Sequence, residues 1–458
     1  MRGLAVATAL AVALTGAGPI APTPARAQDA TSGMPIIRDT EIEQLLRDYA
    51  QPILKAAGLA KQNVKVVVLN DRSFNAFVMD GRHIFINSGA LFDAKTPNEV
   101  IGVFAHETGH LAGGHLLKLR EQLATAQTAS VVALLLGVGA AVAGARSGSG
   151  NVGAAAIMAP QAAIQRTLLA YVRTQEDQAD HAGAKFLHGT GQSGRGMLEL
   201  FKRLSSDSLF NSRYVDPYLQ SHPMPAERVA ALDTLVKSSA YFDVKDPAEL
   251  QARHDLMRAK LSGFLERPDT VARRYPLGDH SLAARYARAI SAYRHTDLRQ
   301  AVGQIDGLIQ SQPANPYFYE LKGQALLEGG RAAEAIAPLR QAVHLSQGTP
   351  LIQIMLAQAL IGTNNPKLAE EAVALLRAAL LREPEAPQAY SQLAMAYGRK
   401  GDLAQADLAS AQAAFSRGDM MTARQLASRA KTRLPVGSPA WVRADDIVNL
   451  KPNNNARN

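Results

Sequence analysis

No cysteine occurs among the 458 residues. Disulfides and thiolate ligands are therefore excluded, so the core must hold the fold, and any zinc site must draw on His, Asp and Glu. A chain of this length buries enough surface to do without bridges and has room for two or three domains. Long unbroken apolar runs are scarce as well. Leu4 to Leu14 is apolar, but Gly16, Gly18, Pro19, Pro22 and Pro24 interrupt the chain soon after it, which leaves the run short for a membrane span. Arg2 precedes it, and the small-x-small triplet Ala25-Arg26-Ala27 stands before Gln28. Residues 1–27 thus read as a secretory signal peptide, and the mature chain as exported. Without Arg2 and Arg26, 47 basic and 40 acidic residues remain, a net +7. That modest excess fits an envelope protein near anionic surfaces or an ordinary solvated surface; no nucleic-acid-binding motif accompanies it.

Charge itself is missing from Gln122 to Ala145, with Val131 to Leu136 at the centre, and again from Asn151 to Gln165. Arg146-Ser147-Gly148-Ser149-Gly150 between them reads as a flexible joint. The first stretch is long enough to cross a bilayer, yet Gln122, Thr125, Gln127 and Thr128 are polar and much of the rest is Ala and Gly. We read residues 122–165 as a helical lid or membrane-surface segment near the active site, with a true span as the competing reading.

The chain is organised around His106-Glu107-Thr108-Gly109-His110. On a helix, positions i and i+4 share a face, so both imidazoles can reach one metal ion. The adjacent glutamate then faces the open coordination position as a general base, the H-E-x-x-H arrangement of zinc peptidases. Thr96-Pro97-Asn98-Glu99 reads as a capping box with proline at the first helical position, so the helix starts there and runs through His110. Its apolar residues Val100, Ile101, Val103, Phe104 and Leu111 imply burial.

Upstream, Ile42, Leu45, Leu46, Tyr49, Ile53 and Leu54 mark an amphipathic helix ending near Gly58, after a polar start over 28–38. Val64 to Leu69 reads as a strand. Asn75 to Met79 is a second, followed by the Asp80-Gly81 hairpin signal and a third over His83 to Asn87. Asn75-Ala76-Phe77 is the candidate strand for holding extended substrate by strand addition, if it lies at the sheet edge rather than inside.

Catalytic zinc needs a third protein ligand and one open position. Glu176, in Glu176-Asp177-Gln178-Ala179-Asp180, is the best candidate. Asp180, one turn on, is placed to accept the other N–H of a ligand histidine and fix its tautomer. Leu116 stands where a metzincin requires histidine, which excludes that class, and His115 reads as structural. Another helix opens at Ser221-His222-Pro223 and runs through Leu235; residues 240–275 read as a charged helical connector.

From about 280 the texture changes. Ala289, Gly323 and Ala357 recur at an interval of 34, as do Ala301 and Ala335, and Pro316 and Pro350; the next unit is longer, matching Ala394 and Pro387. This is the period of tetratricopeptide repeats, whose stacked helix pairs form a curved solenoid that binds proteins or peptides. About four units are expected from 280 to 435, the last degenerate (Asp402 to Leu434).

Together, Asn75-Ala76-Phe77, Gly89-Ala90-Leu91, His106 to His110, Glu176 to Asp180, and His222-Pro223 with Arg228 resemble the HtpX-like and CAAX-prenyl-protease-like zinc metallopeptidases. With the signal peptide and repeats, the chain resembles the periplasmic β-barrel assembly-enhancing group of Gram-negative bacteria. The resemblance implies an α+β, gluzincin-type peptidase domain followed by an all-α repeat solenoid. It also implies one Zn2+ on His106, His110 and Glu176, Glu107 as base, and a segment around His222 that covers the site. In that group this histidine can take the fourth zinc position and hold the enzyme latent. His222 or Arg228 is then available to stabilise the oxyanion once the segment moves. The domains expected are a peptidase domain over 28–265, a connector over 266–279 and a repeat domain over 280–458. The function implied is an exported zinc endopeptidase acting on misfolded or stalled outer-membrane proteins, docked by its repeats to the assembly machinery, with possible peripheral membrane contact. A periplasmic chaperone or assembly adaptor is the alternative.

Overall fold

The computed structural model describes residues 34–126, 128, 150–210 and 217–450. The expected signal peptide and most of the uncharged stretch, including Val131 to Leu136 and the Arg146 to Ser149 part of the joint, lie outside them. Among the described residues, no helix is long and apolar enough to cross a membrane.

The N-terminal part is a small sheet packed by helices. β1 (Ile36–Ile37) leads into α1 (Thr40–Ala56), followed by β2 (Lys65–Leu69), β3 (Ala76–Val78) and β4 (His83–Asn87). The sheet has four strands in the order β1-β2-β4-β3. β2 and β4 run parallel, while β3 returns antiparallel to β4 with Phe77 opposite Phe85. β3 is therefore an edge strand. The expected polar start is overturned at Ile36 and Ile37, which pair with Leu69 and Val68. Two apolar residues suffice there because β2 offers its free edge as a template.

The core lies between this sheet, α1 and four further helices: α2 (Ser88–Asp93), α3 (Pro97–Gly113), α4 (Gly150–Gly189) and α5 (Arg195–Phe210). α3 is buried without a break from Pro97 to His110, because α1, α4 and α5 all pack on it. Thr96 caps it by accepting from the Glu99 N–H, and Glu99 accepts in turn from the Lys95 N–H. α6 (Pro217–Ser221) and α7 (Ala226–Lys237) complete this part, with His222 on the short link between them.

α8 (Ala248–Leu265) falls in the stretch 240–275 read as a charged helical connector and at the end of the domain expected over 28–265, and it packs on both sides. Its Met257 and Leu261 join the core around α1 and α3, while Leu256 and Ala259 join the core built by the helices that follow. α9 (Pro268–Arg274) comes next. Helix pairs then stack as α10/α11 (Leu282–His295, Leu298–Ser311), α12/α13 (Pro316–Glu328, Ala332–Leu345), α14/α15 (Pro350–Gly362, Pro366–Arg382) and α16/α17 (Pro387–Arg399, Leu403–Ser416). The pairing continues beyond 435 through α18 (Met420–Lys431) and α19 (Pro439–Asn449), further than the sequence period suggested. The degenerate unit is divided between two pairs, since Asp402 caps α17 and Asp419 caps α18. The recurring small residues mark the sites where helices meet: Ala289 and Ala357 are fully buried, and a Cβ on Gly323 would come within 2.3 Å of Leu339 Cγ.

Candidate metal centre

Helix geometry sets the first two groups. His106 and His110 stand one turn apart on α3, and their Nε2 atoms face each other at 3.1 Å. α4 crosses α3 closely at this level, and its glycines and alanines explain why. A Cβ on Gly109 would meet the Ala179 carbonyl at 2.7 Å, and one on Gly183 would meet Ala105 at 3.1 Å. Side chains at those two positions would push the helices apart. With none there, Glu176 of α4 reaches both histidines, its Oε2 3.4 Å from His106 Nε2 and its Oε1 3.4 Å from His110 Nε2.

His222 closes the fourth side. Its Nδ1 lies 3.1 Å from both Glu176 oxygens and 3.4 Å from His106 Nε2. Tyr218 packs against its ring, with centroids 4.6 Å apart. The donor atoms of His106, His110, Glu176 and His222 all lie within 4.8 Å of one another, and all four residues are buried. Donors around a tetrahedral zinc with bonds of about 2.0–2.1 Å stand roughly 3.3 Å apart, so this donor set fits such an ion in both chemistry and spacing.

The surrounding groups orient these donors. His106 Nδ1 is 2.9 Å from Asp180 Oδ1 and donates to it, which leaves the Nε2 lone pair aimed at the centre. Burial opposes charge on His106, but the Asp180 and Glu176 carboxylates outweigh it and raise its pKa to about 9. A pocket that attracts a proton this strongly also attracts a metal cation. Burial, with the charge of His106 beside it, holds His110 well below the usual imidazole range. Although burial disfavours the charge of Glu176, the facing His222 and His106 keep its carboxyl below the usual range. Asp180 is likewise lowered against its burial by hydrogen bonds from Arg228 and His106.

Arg228 lies against the carboxylates of the cluster. Its Nε and Nη2 bind the two oxygens of Asp180 at 2.6 and 2.8 Å, while Nη1 lies 2.9 Å from both Glu176 Oε2 and the Pro223 carbonyl. The guanidinium fork is thus engaged behind the donors, because α7 docks against α4 and brings Arg228 over its carboxylates.

Glu107 is the exception to this pattern of satisfaction. It is wholly buried, and among the described residues neither carboxylate oxygen has a hydrogen-bond partner. His222 faces it, with Nε2 3.5 Å from Oε1 and without a hydrogen-bond partner of its own among the described residues. Burial raises the Glu107 pKa, with His222 pulling the other way. Asn75, Ala76 and Phe77 lie apart from this cluster, on and beside edge strand β3, which contacts α3.

Two participants escaped sequence reasoning. Tyr218 carried no signal of its own. His115, read as structural, places its Nδ1 3.0 Å from His110 Nδ1. The Gly113-Gly114 pair before it was the available signal. Gly114 takes the left-handed conformation (φ 61°) that turns the chain back at the end of α3.

Comparison with known proteins agrees with both halves of the chain. A family model described as Peptidase family M48 matches residues 37–236, and one described as Tetratricopeptide repeat matches residues 286–350. The chain is 23% identical over 420 residues to a protein of Escherichia coli (strain K12) named Beta-barrel assembly-enhancing protease, covering 90% of this chain and 83% of that protein. The protein of that name from Yersinia pestis is 23% identical over 428 residues, with the same coverage. Metalloprotease LoiP of Escherichia coli (strain K12) is 32% identical over 186 residues, which cover 40% of this chain and 68% of that protein.

Proposed function

The chain belongs to peptidase family M48, and from that premise we propose that it is an exported, zinc-dependent endopeptidase whose substrates are outer-membrane proteins stalled or misfolded during assembly. The observation that carries this reading is a buried set of converging donors, His106, His110 and Glu176, next to a glutamate whose carboxyl oxygens have no hydrogen-bond partner among the described residues. A desolvated carboxyl group without a hydrogen bond is costly, and a chain acting only as a scaffold has no reason to keep one. His2Glu suits zinc better than magnesium or calcium, which favour all-oxygen sites.

His106 Nε2, His110 Nε2 and Glu176 would hold the zinc, which would supply Lewis-acid polarisation of the scissile carbonyl. Glu107 takes a proton from the attacking water and delivers it to the leaving amine. His222 in the fourth corner is the resting, closed arrangement, and substrate entry requires it to withdraw. From the withdrawn position it can donate to the developing oxyanion, while Arg228 holds Asp180 and Glu176 in place. Edge strand β3, with Asn75, Ala76 and Phe77, receives the substrate as an added strand through main-chain hydrogen bonds. We assign the helix pairs from Leu282 onward to docking on the outer-membrane assembly machinery, and the periplasm as the compartment where both activities meet.

Metal content and casein cleavage, measured together on the wild type, Glu107→Gln and His222→Ala, test this reading. One zinc per chain, slow wild-type cleavage, faster cleavage by His222→Ala and none by Glu107→Gln are expected. A wild type that binds no zinc overturns it and leaves the adaptor role.

A further inference from the structure

Each imidazole on α3 has one nitrogen turned to the centre and one turned away, and something must hold the outward nitrogen. For His106 that partner is Asp180. For His110 there is no carboxylate: its Nδ1 faces Nδ1 of His115 at 3.0 Å, with the two rings edge to face and their centroids 5.0 Å apart. We propose that His115 is the positioning residue for His110, accepting the His110 Nδ1–H on its own Nδ1 lone pair and so fixing the tautomer that presents Nε2 to the metal. The inference rests on the reading above that His110 is a metal ligand.

Several features of the fold serve this contact. Between two facing ring nitrogens, one must donate and the other accept. Since His110 Nε2 points at the donor cluster, its proton belongs on Nδ1, and His115 Nδ1 is the acceptor. The His115 proton then sits on Nε2. The His115 carbonyl accepts from Gln175 Nε2 at 3.1 Å, so α4 ties down the backbone of this residue.

The glycine pair provides the space. Gly114 takes the left-handed conformation that ends α3, and the His115 ring lies against the last turn of that helix at His110. A Cβ on Gly113 would lie 2.2 Å from His115 Nε2, so only glycine lets the ring pack this close. The residue is 4% exposed, which keeps water from replacing it as acceptor. A histidine that only filled space would not need its Nδ1 aimed at the outward nitrogen of its neighbour.

The test is zinc affinity of the full-length protein, by competition with a chromophoric chelator, alongside the melting temperature of the metal-free form. His115→Phe keeps the volume and removes the acceptor. Its zinc affinity is expected to fall roughly 10- to 100-fold, the usual cost of losing an outer partner of a ligand histidine. His115→Asn places an amide oxygen near the Nδ1 position and is expected to recover most of that loss. Gly113→Ala, which displaces the ring without touching its chemistry, is expected to weaken zinc binding in the same direction. Wild-type affinity in His115→Phe overturns the proposal. So does equal loss in Phe and Asn variants together with a lowered metal-free melting temperature, which marks a purely structural residue. If the wild type itself binds no zinc, the metal reading of His110 fails first.

Discussion

The Nδ1–H of His106 donates to Asp180 Oδ1 at 2.9 Å, and the same carboxylate receives two hydrogen bonds from Arg228. One aspartate on α4 thus connects a histidine on α3 to an arginine on α7. The orientation of the donor set depends on three helices keeping their mutual distance.

Replacing Asp180 removes both connections. Asp180→Ala is expected to lower zinc affinity by roughly 10- to 100-fold, while Asp180→Asn, which can still accept from His106, loses less. Zinc retained after dialysis against a graded series of chelator concentrations reads this directly. Equal retention by Asp180→Ala and wild type would show that His106 is oriented by packing alone.

Arg228 is a buried charge facing two buried carboxylates, and lysine cannot reproduce its fork. Removing one partner of such a group leaves uncompensated charge, so Arg228→Ala is expected to cost about 3–5 kcal/mol of stability. Arg228→Lys should lie between it and the wild type. Urea unfolding of the metal-free proteins gives both numbers, and a loss below about 1 kcal/mol for Arg228→Ala would contradict the burial argument.

The α3–α4 crossing depends on Gly109, where a Cβ would stand 2.7 Å from the Ala179 carbonyl. Backbone cannot rotate away as a side chain can, so Gly109→Ala must separate the helices. A destabilisation of about 1–3 kcal/mol is expected, with loss of zinc affinity because Glu176 retreats from the histidines. Unchanged affinity beside a lowered melting temperature would mean that the site tolerates the shift.

A second buried polar cluster joins the peptidase part to the repeats and gives a pH dependence. Lys260 Nζ of α8 lies 2.7 Å from Asp39, 3.2 Å from Glu41 and 4.0 Å from Glu320 of α12, and Tyr286 of α10 donates to Glu41 at 2.9 Å. Three carboxylates face one ammonium away from water. Burial pushes the Glu320 carboxyl up from its ordinary 4.5 to about 8, against the pull of Lys260. Between those values the folded chain holds a proton that the unfolded chain releases. The stabilisation is complete below about pH 4.5 and is lost as pH rises through 8, on the order of a few kcal/mol. Glu320→Gln, neutral at every pH, is expected to flatten that slope and to be the more stable protein at pH 8.5. Denaturation free energies at pH 5.5 and 8.5 check it, and parallel slopes for the two proteins would reject it.

Much of the architecture is legible in order along the chain, because it depends on short-range periodicity. The i, i+4 spacing puts His106 and His110 on one face, and likewise Glu176 and Asp180, wherever those helices end up. The interval of 34 gives the repeat pairs from small residues alone, since a helix pair can close only where side chains are small. The pattern fades where it is not needed. α18 and α19 extend the stack beyond the visible period, held by alanines such as Ala423, Ala427 and Ala444 whose spacing no longer matches the earlier units.

By itself, the sequence determined that two histidines, a glutamate and an acidic pair stand on helices, that a small sheet precedes them, and that a solenoid lies beyond. Local backbone geometry decides those matters. Only the tertiary structure decided that β3 lies at the edge, that Ile36 and Ile37 pair with β2, and that His222 fills the fourth corner. It also turned Arg228 toward Asp180 and Glu176, and set His115 against His110. Each of these depends on how closely separate helices and strands approach. That distance is set by the volumes of side chains far apart in sequence, such as Gly109 against Ala179, and no local period records it.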